Sequence, residues 1–289
     1  MALETFSPAT LVCIRYLISG SVMLIAARFT GAHLPRGREL WLTVGWGVVT
    51  LGLGNGCLAF AEEWVSSGLA ALFVTTSPFW LVGAEALAPR GEPLHWPTVR
   101  GMLIGVCGVA FLVGPAVSEF QANPKVLGAF LLLQLGCMGW SVGSIAQRKI
   151  TAKAHPFMQG AVQQFATGVV YAIPALIRRD PIHWSTRGVS AVIYLMIFGS
   201  IVGYSAYVFA MDRLPVAIAS IYTYVNPVVA VLVGWAVFAE KIGWKEIVAM
   251  AIIFLGVALV KRAHTVKGSS VTIQQPSPDG AAESAQYGE

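Results

Sequence analysis

Charge is scarce in this sequence. Asp, Glu, Lys and Arg make up 11% of its 289 residues, while apolar residues make up 56% and the mean hydropathy is +0.69. A soluble domain carries about 25% charged residues, so a chain this poor in charge could not cover a soluble surface of its size. Cysteine is scarce too. Cys13, Cys57, Cys107 and Cys137 lie singly in apolar runs, with no CxxC and no metal-ligand spacing, which reads as small apolar packing residues rather than a disulfide framework or metal centre. No two of the five histidines have ligand spacing. There is no P-loop and no dinucleotide fingerprint, so neither ATP nor a cofactor is implied. The formal charge of +5 does not indicate nucleic acid, because the basic residues sit in short loops between apolar runs rather than in a basic domain.

What is present is a series of long apolar runs. A membrane-spanning helix needs about 20 mostly apolar residues, and nine candidates fit: 8–27, 40–60, 68–87, 99–117, 126–146, 157–177, 189–211, 216–238 and 244–261. The connections are short, and the tail 263–289 is polar and rich in Ser, Gly and Pro, which predicts a disordered segment. Alternate loops differ about twofold in Lys and Arg, which places the C-terminus in the cytoplasm. The loop bearing Arg178, Arg179 and Arg187 runs against that bias.

The chain repeats itself. LFVTTSPFWLV (72–82) aligns with IYTYVNPVVAV (221–231), setting Ser77-Pro78 on Asn226-Pro227. In the same register Gly54 falls on Gly203 and Asn55 on Tyr204. After a one-residue gap Gly91-Glu92 falls on Ala239-Glu240, Trp96 on Trp244 and Gly108 on Gly256. Pro8 aligns with Pro156, but the span 126–146 has no partner in the first half. The pattern predicts a five-span unit, present in the first half without its opening helix. An odd number of spans per unit inverts one copy relative to the other. Inverted repeats mark secondary transporters, which bind solute near the midplane between the copies. The expected fold is an all-α integral membrane protein, an inverted-repeat helix bundle with nine spans of an expected ten. Its parts are 1–117, 126–262 and the tail 263–289.

Polar groups at mid-span depth are the candidate cavity residues. Proline in a helix interior costs about 3 kcal/mol or more. Pro227 would free the carbonyl of Thr223, and Pro78 that of Val74. In lipid those carbonyls need a neighbouring helix, a side chain or water, so both prolines predict kinks facing protein or a wet cavity. Tyr222 and Asn226 share one helical face and, with Ser77, either line a cavity or bond between helices. Asn55, Tyr204 and Tyr207 pose the same choice. Trp140 lies too deep to be an interfacial anchor, so it packs against a solute ring or fills space. Gln163 and Gln164 form a polar pair one third into their span. Arg15 is the costliest residue, about 2.5–3.5 kcal/mol at mid-helix on insertion scales. It snorkels outward or meets an acidic group or an anionic solute. Glu62, Glu63 and Glu85 sit near span ends, either as proton carriers or as solvated interfacial carboxylates. Gly101-x-x-x-Gly105 and Gly199-x-x-x-Gly203 read as seams of close helix approach.

The segments SPATLVCIRYLISG, GNGCLAFAEEWVSSGLAALFVTTSPFW and YVNPVVAVLVGWAVFAEKI resemble the EamA-type drug/metabolite transporters, in particular the bacterial inner-membrane metabolite exporters. The resemblance implies ten spans in two inverted repeats, both termini cytoplasmic, and export of small metabolites, amino acids or drugs by alternating access. It also nudges Arg15 toward a functional role. The expected partners are a small-molecule solute and the lipid bilayer, with a homodimer among the expected assemblies. One motif points elsewhere: GWSVG (139–143) fits the nucleophile elbow, but that turn needs a strand before it and an Asp and His after it, and here it lies inside an apolar span. A membrane-embedded enzyme or a non-transporting assembly protein are the alternatives.

Overall fold

A computed structural model describes residues 2–29, 31–112, 124–149, 155–226, 228–229 and 243–272. Among these residues there is no strand. After a short turn of helix at Ala2–Thr5 come α1 (Pro8–Phe29), α2 (Arg38–Ala61), α3 (Ser67–Val74), α4 (Ser77–Leu87) and α5 (Trp96–Leu112). They are followed by α6 (Pro124–Lys149), α7 (Pro156–Arg178), α8 (Thr186–Arg213), α9 (Val216–Asn226) and α10 (Trp244–Thr272). Five of them, α1, α2, α6, α7 and α8, are long and apolar enough to cross a membrane. Their outward faces carry large apolar side chains, such as Ile18, Val22 and Ile25 on α1 and Val169, Val170 and Ile173 on α7. A water-facing surface rarely exposes such stripes. They suit a lipid solvent.

The elements follow the apolar runs closely, because in lipid a span must satisfy its own backbone. The exceptions lie where backbone bonds are redirected. The run 68–87 is two helices, with Thr75 and Thr76 in a turn between them. Pro78 occupies the first turn of α4, where its missing N–H costs little. This corrects the expected interior kink: the helix stops and restarts. Thr76 Oγ1 donates to the Phe73 carbonyl at 2.8 Å, and Gln134 Nε2 from α6 donates to the same carbonyl at 3.4 Å. In the second half the irregular turn falls at Ser220 and Ile221, about one helical turn earlier than the repeat places it. There Ser220 Oγ donates to the Ala217 carbonyl at 2.8 Å. Pro227 lies outside the described residues, as does 273–289 of the tail. The helix expected to end at 261 continues to Thr272.

Two π-helical segments were not foreseen. One is Val48–Leu53 within α2 and the other Leu195–Gly203 within α8. They occupy corresponding places in the two halves, ending just before Gly54 and at its aligned partner Gly203. In each, a side chain of α7 takes up a backbone carbonyl. Tyr171 Oη donates to the Gly52 carbonyl at 2.7 Å, and Gln164 Nε2 donates to the Ser200 carbonyl at 3.0 Å. Widened turns of this kind are frequent at functional sites.

Helix approach is closest at two seams. Between α5 and α10, a Cβ on Gly101 or Gly108 would run into Val260 or Ile253 and one on Gly256 would meet the Gly105 backbone, while one on Gly105 would meet Tyr224 of α9. Gly101-x-x-x-Gly105 is therefore a seam, as expected. Between α1 and α7, Gly20 lies against the Phe165 backbone and Gly168 against Leu17. Gly199-x-x-x-Gly203 is not a seam: Gly199 faces the Arg15 guanidinium and Gly203 the Phe198 carbonyl of its own helix.

Candidate functional site

A cavity of about 530 Å³ opens between α1, α2, α6, α8 and α9. Its wall includes Arg15, Asn55, Trp140, Tyr204, Tyr207, Tyr222 and Asn226, seven of the residues singled out by depth and repeat position. A side chamber of about 170 Å³ shares Asn55, Trp140 and Tyr222 with it and adds Ser77. Ser77 is buried and donates to Cys137 Sγ at 3.1 Å. Cys13, Cys57 and Cys137 are buried and unbridged; Cys107 is exposed.

Tyr207 is the hub of the cavity wall. Trp140 Nε1 donates to Tyr207 Oη at 2.9 Å, and Tyr207 Oη donates to Ser144 Oγ at 2.8 Å. The Tyr207 ring centroid lies 5.0 Å from that of Trp140, 5.4 Å from that of Tyr222 and 6.1 Å from that of Tyr204. Edge-on and offset contacts at these distances suit the ring quadrupoles. The result is an aromatic cluster contributed by three helices, α6, α8 and α9. Gly54 makes room for it, since a Cβ there would meet the Trp140 ring.

Gln163 does not line the cavity. It is fully buried behind Tyr204. Tyr204 Oη donates to Gln163 Oε1 at 2.6 Å, Gln163 Nε2 to Gln147 Oε1 at 2.8 Å, and Gln147 Nε2 to Thr50 Oγ1 at 3.0 Å. Thr50 Oγ1 ends the chain on the Trp46 carbonyl at 2.8 Å. Gln164, also fully buried, bonds Ser19 and the Ser200 carbonyl. The pair is thus supporting structure, with each glutamine satisfied on both ends, as a low-dielectric interior demands. Sequence reading missed Thr50, Ser144, Gln147, Tyr171 and Ser200. Each is a lone polar residue whose partner is distant in the chain, so spacing carried no signal.

None of Glu62, Glu63 and Glu85 lines the cavity. Glu85 is buried rather than solvated, and its Oε2 has no hydrogen-bond partner among the described residues. Glu63 is exposed. Glu62 caps the end of α2, and burial pushes its carboxyl above the ordinary value of 4.5. A raised folded-state value penalises the ionised form, so this carboxylate lowers stability above about pH 4.5 and is neutral in effect below it. Glu62→Gln is expected to raise the melting temperature at neutral pH, with the gain vanishing as the pH falls below the carboxylate range. A gain that persists at acid pH would contradict this.

Comparisons place this architecture. The EamA-like transporter family model matches residues 1–114 and 127–262. The "Uncharacterized inner membrane transporter YedA" of Escherichia coli (strain K12) is 33% identical over 264 residues, covering 90% of this chain and 83% of that protein. A "Probable terminal-alkyne amino-acid exporter" of Streptantibioticus cattleyicolor is 24% identical over 267 residues, covering 91% of this chain and 86% of that one. A crystal structure of another protein shares the fold with a TM-score of 0.77 at 23% identity, covering 90% of each chain. The chain belongs to the EamA-like transporter family and is a membrane transporter of small molecules.

Proposed function

We propose that this chain is a secondary exporter of small organic metabolites that works by alternating access in the inner membrane. The central cavity is its solute site, and the units 1–117 and 126–262 are the inverted halves that rock around it. The C-terminus and the tail from 263 are cytoplasmic. The observation that carries the reading is the aromatic and amide-lined cavity of about 530 Å³, walled by helices from both halves. The volume lies within the range of pockets that enclose small ligands, about 300–1,000 Å³. The π-helical segments of α2 and α8 border it on two sides: Leu51 comes from one and Phe198, Ser200 and Gly203 from the other. Widened turns of this kind are frequent at functional sites, and in this reading they are the points that give during the change of access. The direction, export, is supported by the relative described as an exporter.

The test is transport itself. Purified protein in proteoliposomes is screened for counterflow of small organic solutes, and Asn226→Ala and Tyr222→Phe are compared with wild type. Each removes polar contacts worth about 0.5–1.5 kcal/mol, so a loss of roughly twofold to thirteenfold in kcat/KM is expected. Wild-type flux retained in both well-folded variants would rule out this cavity as the solute path.

A further inference from the structure

The described lining of the cavity carries one formal charge, and it is positive. Arg15 projects into the cavity from α1, and no Asp or Glu lines it. Arg15 Nε donates to Ser200 Oγ at 2.7 Å, and the guanidinium carbon lies 5.0 Å from the Tyr16 ring centroid. A hydroxyl and a π face hold the group in place without neutralising it. Among the described residues no carboxylate pairs with it, and its two Nη groups have no hydrogen-bond partner. Gly199 gives it room, since a Cβ there would lie 3.0 Å from Nη2.

The arrangement is that of a binding group awaiting a counter-charge. The guanidinium is a planar fork that matches a carboxylate with two parallel bonds. The same cavity is lined by the rings of Trp140, Tyr204, Tyr207 and Tyr222 and by the uncharged amides Asn55 and Asn226. An ammonium group entering the same space finds no carboxylate, only π systems and neutral amide and hydroxyl oxygens, and it meets Arg15 as a like charge in a medium that screens charge poorly. We propose that the cavity selects net-anionic solutes, a carboxylate on an aromatic or apolar body, over neutral, zwitterionic and cationic solutes with the same body, and that Arg15 binds the carboxylate. This rests on the cavity being the solute site.

The experiment uses probes that share one ring and differ in charge: indoleacetate, indoleacetamide, tryptophan and tryptamine. A parallel set of phenyl and alkyl carboxylates with their amides covers other bodies. Counterflow is measured in proteoliposomes with wild type, Arg15→Lys, Arg15→Gln and Gly199→Ala, each checked for a monodisperse elution profile. Wild type is expected to favour a carboxylate over its amide by about tenfold or more, the usual weight of a charge-assisted hydrogen bond, with tryptamine lowest. Arg15→Gln should bring the ratio within about twofold, while Arg15→Lys keeps part of it because the charge remains but the fork is lost. Gly199→Ala, which crowds the guanidinium and leaves its charge, should give an intermediate ratio, so the proposal survives a poorly folded Arg15→Gln. Equal or better flux of amide or amine in wild type, or an unchanged ratio in all three variants, overturns the charge selection and leaves the transport reading intact. Wild type that moves no probe above protein-free vesicles overturns both.

Discussion

Gly168→Leu is expected to abolish the folded, monodisperse protein. A Cβ at this position would lie against the backbone nitrogen and Cα of Leu17 on α1, and backbone cannot turn aside as a side chain can. The same seam is closed from the other side, where Gly20 meets the Phe165 backbone. Admitting leucine means pushing α1 off α7 along their length. Overpacking of a well-filled interior costs about 1–3 kcal/mol and occasionally more; with backbone as the obstacle the upper end applies. The consequence reaches the cavity, because α7 carries Tyr171 and Gln164, whose bonds hold carbonyls of both π-helical segments. The control is Gly45→Leu, where a Cβ would meet nothing within 4 Å. The two variants are compared by fluorescence-detected size exclusion and thermal melting in detergent. Equal behaviour of the two would show that the α1–α7 seam is not tight.

Gln163→Leu is expected to lower stability by about 2 kcal/mol or more, because it strands one buried and one half-buried group at about 1–3 kcal/mol each. Tyr204 Oη loses its acceptor and Gln147 Oε1 its donor. A typical interhelical hydrogen bond in a membrane protein is worth only about 0.6 kcal/mol, so the size of the loss decides what this chain of bonds is. A loss near that lower figure would make it ordinary helix-to-helix bonding with replaceable partners. A loss of about 2 kcal/mol or more would show that the orphaned groups find no substitute. The cycle with Tyr204→Phe separates the two cases. Removing the stranded hydroxyl should make the double variant less damaged than the sum of the single ones, and strict additivity would refute the coupling. Since the Tyr204 ring stands on the cavity wall, Gln163→Leu should also weaken solute binding without touching solute.

Most of the span pattern could be read directly. Apolar runs of about twenty residues allow one solution in lipid, a helix, so 8–27 became Pro8–Phe29 and 157–177 became Pro156–Arg178. Depth and repeat position also pointed to seven residues that line the cavity, because a polar side chain at mid-span needs a protein or solvent partner and the centre of the bundle supplies it. Depth says nothing about direction around the helix or about the layer in which a side chain ends. Gln163 has the right depth but faces away from the cavity, into the support behind Tyr204. Tyr207 was one polar residue among several until three rings from three helices were seen to meet on it. The tight seam at Gly20 and Gly168 escaped because neither glycine belongs to a Gly-x-x-x-Gly pair, and only docking places them against the same line of contact. The π-helical segments escaped because their freed carbonyls are claimed by α7, a helix distant in sequence from Gly52.

What the sequence determined by itself is therefore set by local rules: hydropathy that demands helices, a charge deficit that demands lipid, and a repeat that pairs two halves. Which polar groups face one another, where helices widen, and which side of Arg15 stays unpaired were decided only in three dimensions. Hydrogen bonds and close approaches between helices depend on rotation and docking, and a one-dimensional pattern does not encode those quantities.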